Sequence, residues 1–263
     1  EKPAAVAAFD EILRVSDGIM VARGDLGVEI PLEHLPRVQR RIIRSCAEKG
    51  RRVIVATHML ESMIDNPMPT RAEVTDVANA VYEEADAIML SGETTIGKYP
   101  TKCVEILDRI ARSTENSRGL RFTDKLEGNH DKQQIAQAAV NLAESIVAKA
   151  IIVPTRRGRM ADLVTNCHPQ QSIICAFTND SRTRRQLVLN RNVLSYRINF
   201  SSDPEKTLGT AAAIMMQRDE FSPEDRVVVI SDALAGTGVE AIQIRRLGDL
   251  NHHEADPAPI DSD

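Results

Sequence analysis

The sequence contains no run of about 18 consecutive apolar residues, which is the length that a membrane-spanning helix requires. It also lacks the pattern of a secretory signal peptide. We therefore expect neither a membrane partner nor export. The formal net charge is -5, so the chain has no overall basic field of the kind that nucleic-acid binding uses, and nucleic acid is not an expected partner.

Cysteine is scarce, and no two cysteines form a CxxC pair. The four cysteines are scattered through apolar or helical stretches, at Cys46, Cys103, Cys167 and Cys175. Such spacing indicates reduced thiols in a core rather than a metal site or a disulfide framework. Reduced thiols in turn favour a cytoplasmic location.

The chain has 263 residues, 42% of them hydrophobic, which is enough for one large or two medium domains. In residues 1–118, short apolar strands alternate with longer amphipathic helices. The strands are predicted at residues 18–22, 52–56 and 87–90. This alternation is typical of the α/β class with a parallel sheet.

A second α/β domain is predicted at residues 133–248. Residues 119–132 are rich in charge, glycine and asparagine and are predicted to be an interdomain linker. The tail at 249–263 is rich in acidic residues and is predicted to be disordered. Strands of the second domain are expected at residues 150–153, 172–177, 193–198, 226–231 and 241–246.

Each predicted strand of the first domain is followed by a polar cluster: Arg23-Gly24-Asp25, Thr57-His58 and Ser91-Gly92-Glu93-Thr94. In a parallel sheet or barrel the carboxyl ends of the strands lie on one face, where ligand sites are built. Asp25 ends an apolar run and is flanked by Gly24 and Gly27, which permit a tight turn and close backbone approach. The pattern favours a metal ligand, and the alternative for Asp25 taken alone is a turn or cap residue.

Six segments resemble the pyruvate kinase family in both order and spacing. They are Phe9–Ile12, Asp17–Pro31, Ala56–Met63, Pro69–Glu73, Asp76–Ala80 and Ile88–Thr94. The resemblance implies a partial (β/α)8 TIM barrel with the last three βα units, followed by a separate C-terminal α/β domain with a mostly parallel sheet. It also implies a glycolytic phosphotransferase, which transfers the phosphoryl group of phosphoenolpyruvate to ADP and so gives pyruvate and ATP.

The resemblance further implies a set of site residues. Glu1 and Asp25 would bind Mg²⁺ or Mn²⁺, while Gly24, Asp25 and Thr57 would bind the carboxylate of phosphoenolpyruvate or pyruvate. Backbone N–H groups at the start of a helical turn suit an anion of this kind. The charge-stabilising lysine and the K⁺ site of the family align ahead of Glu1. No catalytic residue is therefore assigned, and the 263 residues alone are expected to be inactive, whereas the full-length parent is expected to be a homo-oligomer, specifically a homotetramer.

Other positions leave alternatives open. Ser91 and Glu93 are candidates for ordering water or protons, and a strand-end hydrogen-bond network is an equal alternative. His58 stands where the family commonly has glutamine, and we interpret it as a neutral hydrogen-bonding substitute rather than an acid or base. Four residues resemble the family's effector phosphate loop, with an exposed basic turn as the alternative: Thr155, Arg156, Gly158 and Arg159.

Two other functions compete with this interpretation. One is a non-catalytic module that senses an anion or mediates oligomerisation. The other is a Mg²⁺-dependent pyruvate lyase with the same barrel, which would not explain the segments at 69–73 and 91–94. With only three barrel strands, open edges and apolar faces are expected to make the chain poorly stable by itself.

Overall fold

A computed structural model describes residues 1–115, 117, 119–126, 130–231 and 241–250. The chain forms two compact units, Glu1–Glu127 and Gly128–Asp263. The predicted disordered tail lies outside the described residues from position 251 onward. Its first two residues, 249 and 250, end a short helix in which Leu247 and Leu250 are fully buried.

The first unit has a parallel sheet of three strands in the order β1-β2-β3. The strands are β1 (Gly18–Ala22), β2 (Arg52–Ala56) and β3 (Ala87–Met89). The helices are α1 (Pro3–Ala7), α2 (Phe9–Val15), α3 (Arg23–Glu29), α4 (Leu35–Glu48), α5 (Arg71–Tyr82), α6 (Gly92–Thr95) and α7 (Pro100–Glu115). Short 3-10 turns lie at Leu32–His34, Glu61–Ile64 and Phe122–Lys125.

Helix α4 packs on the sheet through one apolar face. Cys46 follows Ile42 by four residues and Ile43 by three, and all three are buried. Helix α5 begins with a capping box, in which the Thr70 hydroxyl accepts from the Glu73 amide and the Glu73 carboxylate accepts from the Thr70 amide. These local rules place the helices where the spacing predicts them.

The three-stranded sheet is only partly covered. Met20 in β1 is 48% exposed, and all three residues of β3 are half-buried. By contrast, every residue of β4 (Ala150–Pro154) in the second unit is buried. The first unit therefore presents apolar surface that other chain segments could cover.

The second unit has a five-stranded sheet in the order β6-β5-β4-β7-β8, in which only the β7–β8 pair is antiparallel. Its other strands are β5 (Ile173–Thr178), β6 (Val193–Arg197), β7 (Arg226–Ile230) and β8 (Ile242–Arg246). Its helices are α8 (Asp131–Ser145), α9 (Arg159–Asn166), α10 (Ser181–Leu187), α11 (Pro204–Met215) and α12 (Leu247–Leu250). The predicted α/β class with mostly parallel sheets is confirmed.

Part of the predicted linker packs on the first unit. The Glu84 carboxylate accepts from the amides of Arg121 and Phe122, both at 2.9 Å, and the Leu120 amide donates to the Tyr82 carbonyl. Phe122 also packs against the core of the first unit. Residues 119–126 are therefore fastened to that unit, and residues 127–129 lie outside the described part of the chain.

All four cysteines are free thiols, as predicted, and Cys46, Cys103 and Cys175 are fully buried. Burial raises the pKa of the Cys46, Cys167 and Cys175 thiols to about 12. Within the described residues, no helix combines the length and apolar character that a membrane span needs.

Candidate active site

The polar clusters meet at one edge of the three-stranded sheet. Ala22 pairs with Ala56, and Ala56 pairs with Met89, so the three strands end level with one another. Residues that follow these ends are brought together because parallel strands share one carboxyl-end edge. The predicted clusters after β1, β2 and β3 thus belong to one candidate site.

Gly24 and Thr57 are in direct contact. The Gly24 amide donates to the Thr57 Oγ1 at 2.7 Å, and the same hydroxyl donates to the Ala56 carbonyl at 2.6 Å. A Cβ atom at Gly24 would lie 3.3 Å from the His58 ring and 3.5 Å from the Thr57 hydroxyl. Glycine at this position allows the first turn of α3 to approach the loop after β2 closely.

Asp25 lies exposed in the first turn of α3, where the helix dipole stabilises a negative charge. Glu1 is also exposed and lies just ahead of α1. Neither carboxylate has a hydrogen-bond or ion-pair partner among the described residues. Their oxygens therefore stay available to a cation.

This donor set fits Mg²⁺. The ion prefers oxygen ligands and is usually bound by one or two carboxylates, with waters and substrate phosphates filling the remaining positions. No group of three or more His, Cys, Asp or Glu side chains that could hold a metal occurs in the part of the chain that the structure describes. Among the described residues, Asp25 is the exposed carboxylate that directly follows β1 at this edge of the sheet.

The loop after β2 has an unusual backbone. Thr57 (φ 69°) and His58 (φ 54°) are consecutive left-handed residues, and neither is glycine. Arg23 holds this loop: its Nε donates to the carbonyls of Ala56 and Thr57 at 3.2 Å, and its Nη1 pairs with Asp76 at 2.6 Å. Sequence reasoning missed both Arg23 and Asp76 as members of the site.

Glu93 is buried, with 1% of its surface exposed. Its Oε1 accepts from the Leu60 amide at 3.0 Å, and its Oε2 accepts from the Ser91 amide at 2.7 Å. The carboxylate therefore ties the loop after β2 to the loop after β3. This geometry favours the strand-end hydrogen-bond network over a proton donor.

His58 is exposed beside the site. Its Nε2 lies 3.8 Å from the Glu61 carboxylate, and both side chains are more than half exposed. A cavity of about 730 Å³ opens next to the ring. It is lined by Arg23 of α3, by Arg71 and Asp76 of α5, and by residues of α4. The structure places His58 at the rim of the site, exposed and beside the Glu61 carboxylate.

The predicted anion loop joins β4 to α9. Thr155 is buried, and its amide donates to the Phe177 carbonyl at 2.7 Å. Gly158 lies just before α9 and has φ 78°, a conformation in which a side chain would be strained. The Arg156 guanidinium lies 5.4 Å from the Phe200 ring centre, and Arg159 is exposed. The turn therefore presents cationic side chains at the start of a helix.

Comparisons with known proteins agree on one family for both units. Residues 1–104 match the family model of the pyruvate kinase barrel domain, and residues 133–243 match the model of the pyruvate kinase alpha/beta domain. Pyruvate kinase isozyme G of the chloroplast of Ricinus communis is 42% identical over 233 residues, which are 88% of this chain and 55% of the relative. Pyruvate kinase of Thermotoga maritima is 44% identical over 194 residues, 74% of this chain and 41% of that protein.

A solved structure is also similar. The crystal structure of a pyruvate kinase from Cryptosporidium parvum matches with a TM-score of 0.86 and 35% sequence identity. The match covers 92% of this chain and 49% of the Cryptosporidium parvum chain. The chain spans about half the length of the curated relatives it matches, between 39% and 55%. These relatives lend no support to the lyase or to the stand-alone module. The two matched models, the barrel resemblance and the identities together place the chain in the pyruvate kinase family.

Proposed function

We propose that this chain forms the end of the catalytic barrel and the C-terminal domain of an enzyme that transfers the phosphoryl group of phosphoenolpyruvate to ADP. One observation carries the proposal: the ends of β1 and β2 bring the Asp25 carboxylate and the Gly24–Thr57 hydrogen bond to one edge of the sheet. Phosphoryl transfer needs mainly positioning and charge neutralisation, and this edge offers groups for both.

The Thr57 hydroxyl is the group that would orient the substrate carboxylate. It has a single proton, which now goes to the Ala56 carbonyl, while its oxygen accepts from the Gly24 amide. When the substrate binds, the proton can turn from Ala56 to the carboxylate without loss of the Gly24 bond. The Gly24 amide would thus position the hydroxyl rather than contact the substrate itself.

Glu1 and Asp25 would hold Mg²⁺ or Mn²⁺. When bound, the ion neutralises the charge on the transferring phosphoryl group. Asp25 is carried on the first turn of α3, which Gly24 fixes against Thr57. The carboxylate that binds the ion and the hydroxyl that orients the substrate would therefore move as one unit.

Ser91 remains the candidate for ordering water at the site, and Glu93 would hold the Ser91 backbone in place. The resemblance puts the charge-stabilising lysine and the K⁺ site outside these 263 residues. We therefore propose that K⁺ acts in the whole enzyme and that the 263 residues alone do not turn over.

The second unit would bind an anion at the turn that holds Arg156 and Arg159. Backbone N–H groups at the start of α9 and the two guanidinium groups favour phosphate over a neutral ligand. Calorimetry with inorganic phosphate tests this proposal, with Arg159→Gln as the weakened variant and exposed Arg226→Gln as the control. Equal heats for wild type and Arg159→Gln would reject the turn as the binding site.

The whole protein would be a homo-oligomer, which sedimentation of that protein would test. Its reduced thiols favour the cytoplasm. Two relatives from Ricinus communis and two from Nicotiana tabacum are named as chloroplastic, so cell fractionation decides the compartment.

ATP formation from phosphoenolpyruvate and ADP tests the activity. With Mg²⁺ and K⁺, we expect turnover by the whole protein that includes this chain and none by the 263 residues alone. The Asp25→Asn variant of the whole protein should lose most of its activity, and Glu105→Gln, on the exposed face of α7, should keep it. No turnover by the whole protein would reject the function, and turnover by the 263 residues would reject the need for the lysine.

A further inference from the structure

The Thr57–His58 turn needs an outside support. A left-handed backbone is disfavoured for any residue with a Cβ, and most of all for a β-branched residue such as threonine. Such conformations persist only where neighbouring groups hold them. The groups that contact the turn therefore decide whether the Thr57 hydroxyl stays in place.

Arg23 supplies that support from a buried position. Its side chain is 8% exposed, and its Nη2 donates to the Thr57 carbonyl and lies 2.8 Å from the Met59 sulfur. Together with the two bonds from Nε, the planar guanidinium therefore contacts the carbonyls of Ala56 and Thr57 and the sulfur of Met59. A lysine ammonium cannot reproduce this forked pattern, because it is a compact point charge.

Asp76 holds the far side of the same guanidinium. Its Oδ2 lies 2.6 Å from Nη1, and the contact joins the first residue of α3 to the middle of α5. An arginine that is removed from water needs such a partner. Asp76 therefore fixes the direction in which Arg23 points its remaining donors.

The Ala56 carbonyl links this support to the site. It accepts from both Arg23 Nε and the Thr57 hydroxyl. If the hydroxyl proton turned away with no other donor present, the buried carbonyl would be left unpaired, which is unfavourable. Arg23 keeps that carbonyl hydrogen-bonded and so leaves the hydroxyl free to turn.

We propose that Arg23, held by Asp76, is a positioning residue that fixes the left-handed Thr57 turn and releases the Thr57 hydroxyl for an anionic ligand. The release of the hydroxyl toward a 2-oxo acid carboxylate rests on the proposed function, whereas the fixing of the turn does not. The two parts therefore have separate measurements.

The first measurement follows the free protein by NMR. Hydrogen exchange of the Gly24 amide, which donates to Thr57, is recorded with the Cα shifts of Thr57 and His58, which report left-handed backbone. We expect exchange to be at least tenfold faster in Arg23→Lys and several-fold faster in Asp76→Asn, with shifts that move toward ordinary values. Exposed Arg71→Lys lines the same cavity and should change neither quantity.

Unchanged exchange and shifts in Arg23→Lys would overturn the proposal. If that variant does not fold, Asp76→Asn decides by the same two quantities, and no change there would also overturn it. An equal response in Arg71→Lys would assign the effect to the loss of any guanidinium that lines the cavity and would likewise overturn the positioning role.

The second measurement is the affinity for pyruvate in the presence of Mg²⁺, followed through the Thr57 amide. We expect it to fall about tenfold in Arg23→Lys and to stay unchanged in Arg71→Lys. Unchanged affinity in a folded Arg23→Lys would overturn the release of the hydroxyl. If the whole wild-type protein that includes this chain fails to bind pyruvate while the exchange results hold, the proposed function fails and the turn-fixing role stands.

Discussion

The Glu93 carboxylate joins two loops of the candidate site, and its removal is the sharpest test of how that site is held. The side chain is 1% exposed, and its two oxygens accept from two backbone amides, those of Leu60 and Ser91. Because each oxygen has its own donor, the number of lost bonds can be varied by substitution. Glu93→Gln removes one acceptor oxygen, and Glu93→Ala removes both.

The expected magnitudes follow from the two lost bonds. A buried donor left without an acceptor costs about 1–3 kcal/mol, and bonds to a charged group lie toward the upper end of that range. Glu93→Gln should therefore destabilise the loops by about 1–3 kcal/mol and Glu93→Ala by about 2–5 kcal/mol. Since about 1.4 kcal/mol corresponds to a factor of ten, amide exchange at Leu60 and Ser91 should accelerate by roughly one to three orders of magnitude.

Residue-resolved amide exchange is the suitable assay, because a chain with two compact units does not unfold as one two-state system. The control is Glu105→Gln on the exposed face of α7, which should leave both amides unchanged. If Glu93→Ala changes exchange at Leu60 and Ser91 by less than threefold, the carboxylate does not fasten the loops. A role in proton or water ordering would then be the better interpretation of Glu93.

Three further predictions concern the rest of the chain. Burial raises the pKa of Glu73, but hydrogen bonds from Ser62 and Thr70 outweigh it and leave that pKa below its ordinary value. Glu73→Gln should therefore destabilise the start of α5 by about 1 kcal/mol at pH 7, measured by residue-resolved amide exchange. The difference should shrink as the pH falls through the lowered pKa of the folded chain, whereas a pH-independent difference would contradict the prediction. Gly158→Ala places a Cβ at φ 78°, only 3.3 Å from a methyl carbon of Leu187. It should lower the stability of the second unit by about 1–3 kcal/mol in thermal melts. An unchanged melt would show that the turn relaxes freely. Glu84→Gln removes one charge-assisted bond to the segment at 119–126 and should make that segment more sensitive to limited proteolysis. Unchanged cleavage would show that the remaining contacts hold the segment without that bond.

Much of the fold follows from local patterns. The strands predicted at 18–22 and 52–56 have the same bounds in the structure, because each is a short apolar run between polar or glycine-bearing turns. Helix α4 also follows from local patterns, since its apolar spacing defines the buried face and Gly50, at φ 61°, follows its end. Local sequence patterns are therefore sufficient to predict these elements.

The support of the site could not be predicted in the same way. Arg23 and Asp76 are 53 positions apart, and no periodicity connects them. An arginine directly after a strand is as compatible with a solvent-exposed end as with a buried one, since its partner is chosen by the tertiary fold. Its position immediately before Gly24 was the available signal, and only the structure shows that its donors turn inward to Ala56 and Thr57.

For Glu93, the sequence predicts the position in the site but not the role of the side chain. Its place after β3 predicts a residue of the site, but sequence alone leaves a proton network and a structural network equally open. The distinction depends on which donors reach the two oxygens, and both donors are backbone amides in separate loops. Because nearly every residue has a backbone amide, the sequence does not mark which amides reach the Glu93 oxygens. Burial and hydrogen-bond geometry therefore decide the role of Glu93.

The central claim is that the ends of β1 and β2 form a Mg²⁺-dependent site for a small carboxylate. Titration of pyruvate into the isotope-labelled chain, with and without Mg²⁺, tests it most directly. We expect the amide signals of Gly24, Asp25 and Thr57 to shift only when Mg²⁺ is present, and to stay in place in Asp25→Asn. Shifts that do not depend on Mg²⁺, or that persist in Asp25→Asn, would contradict the account.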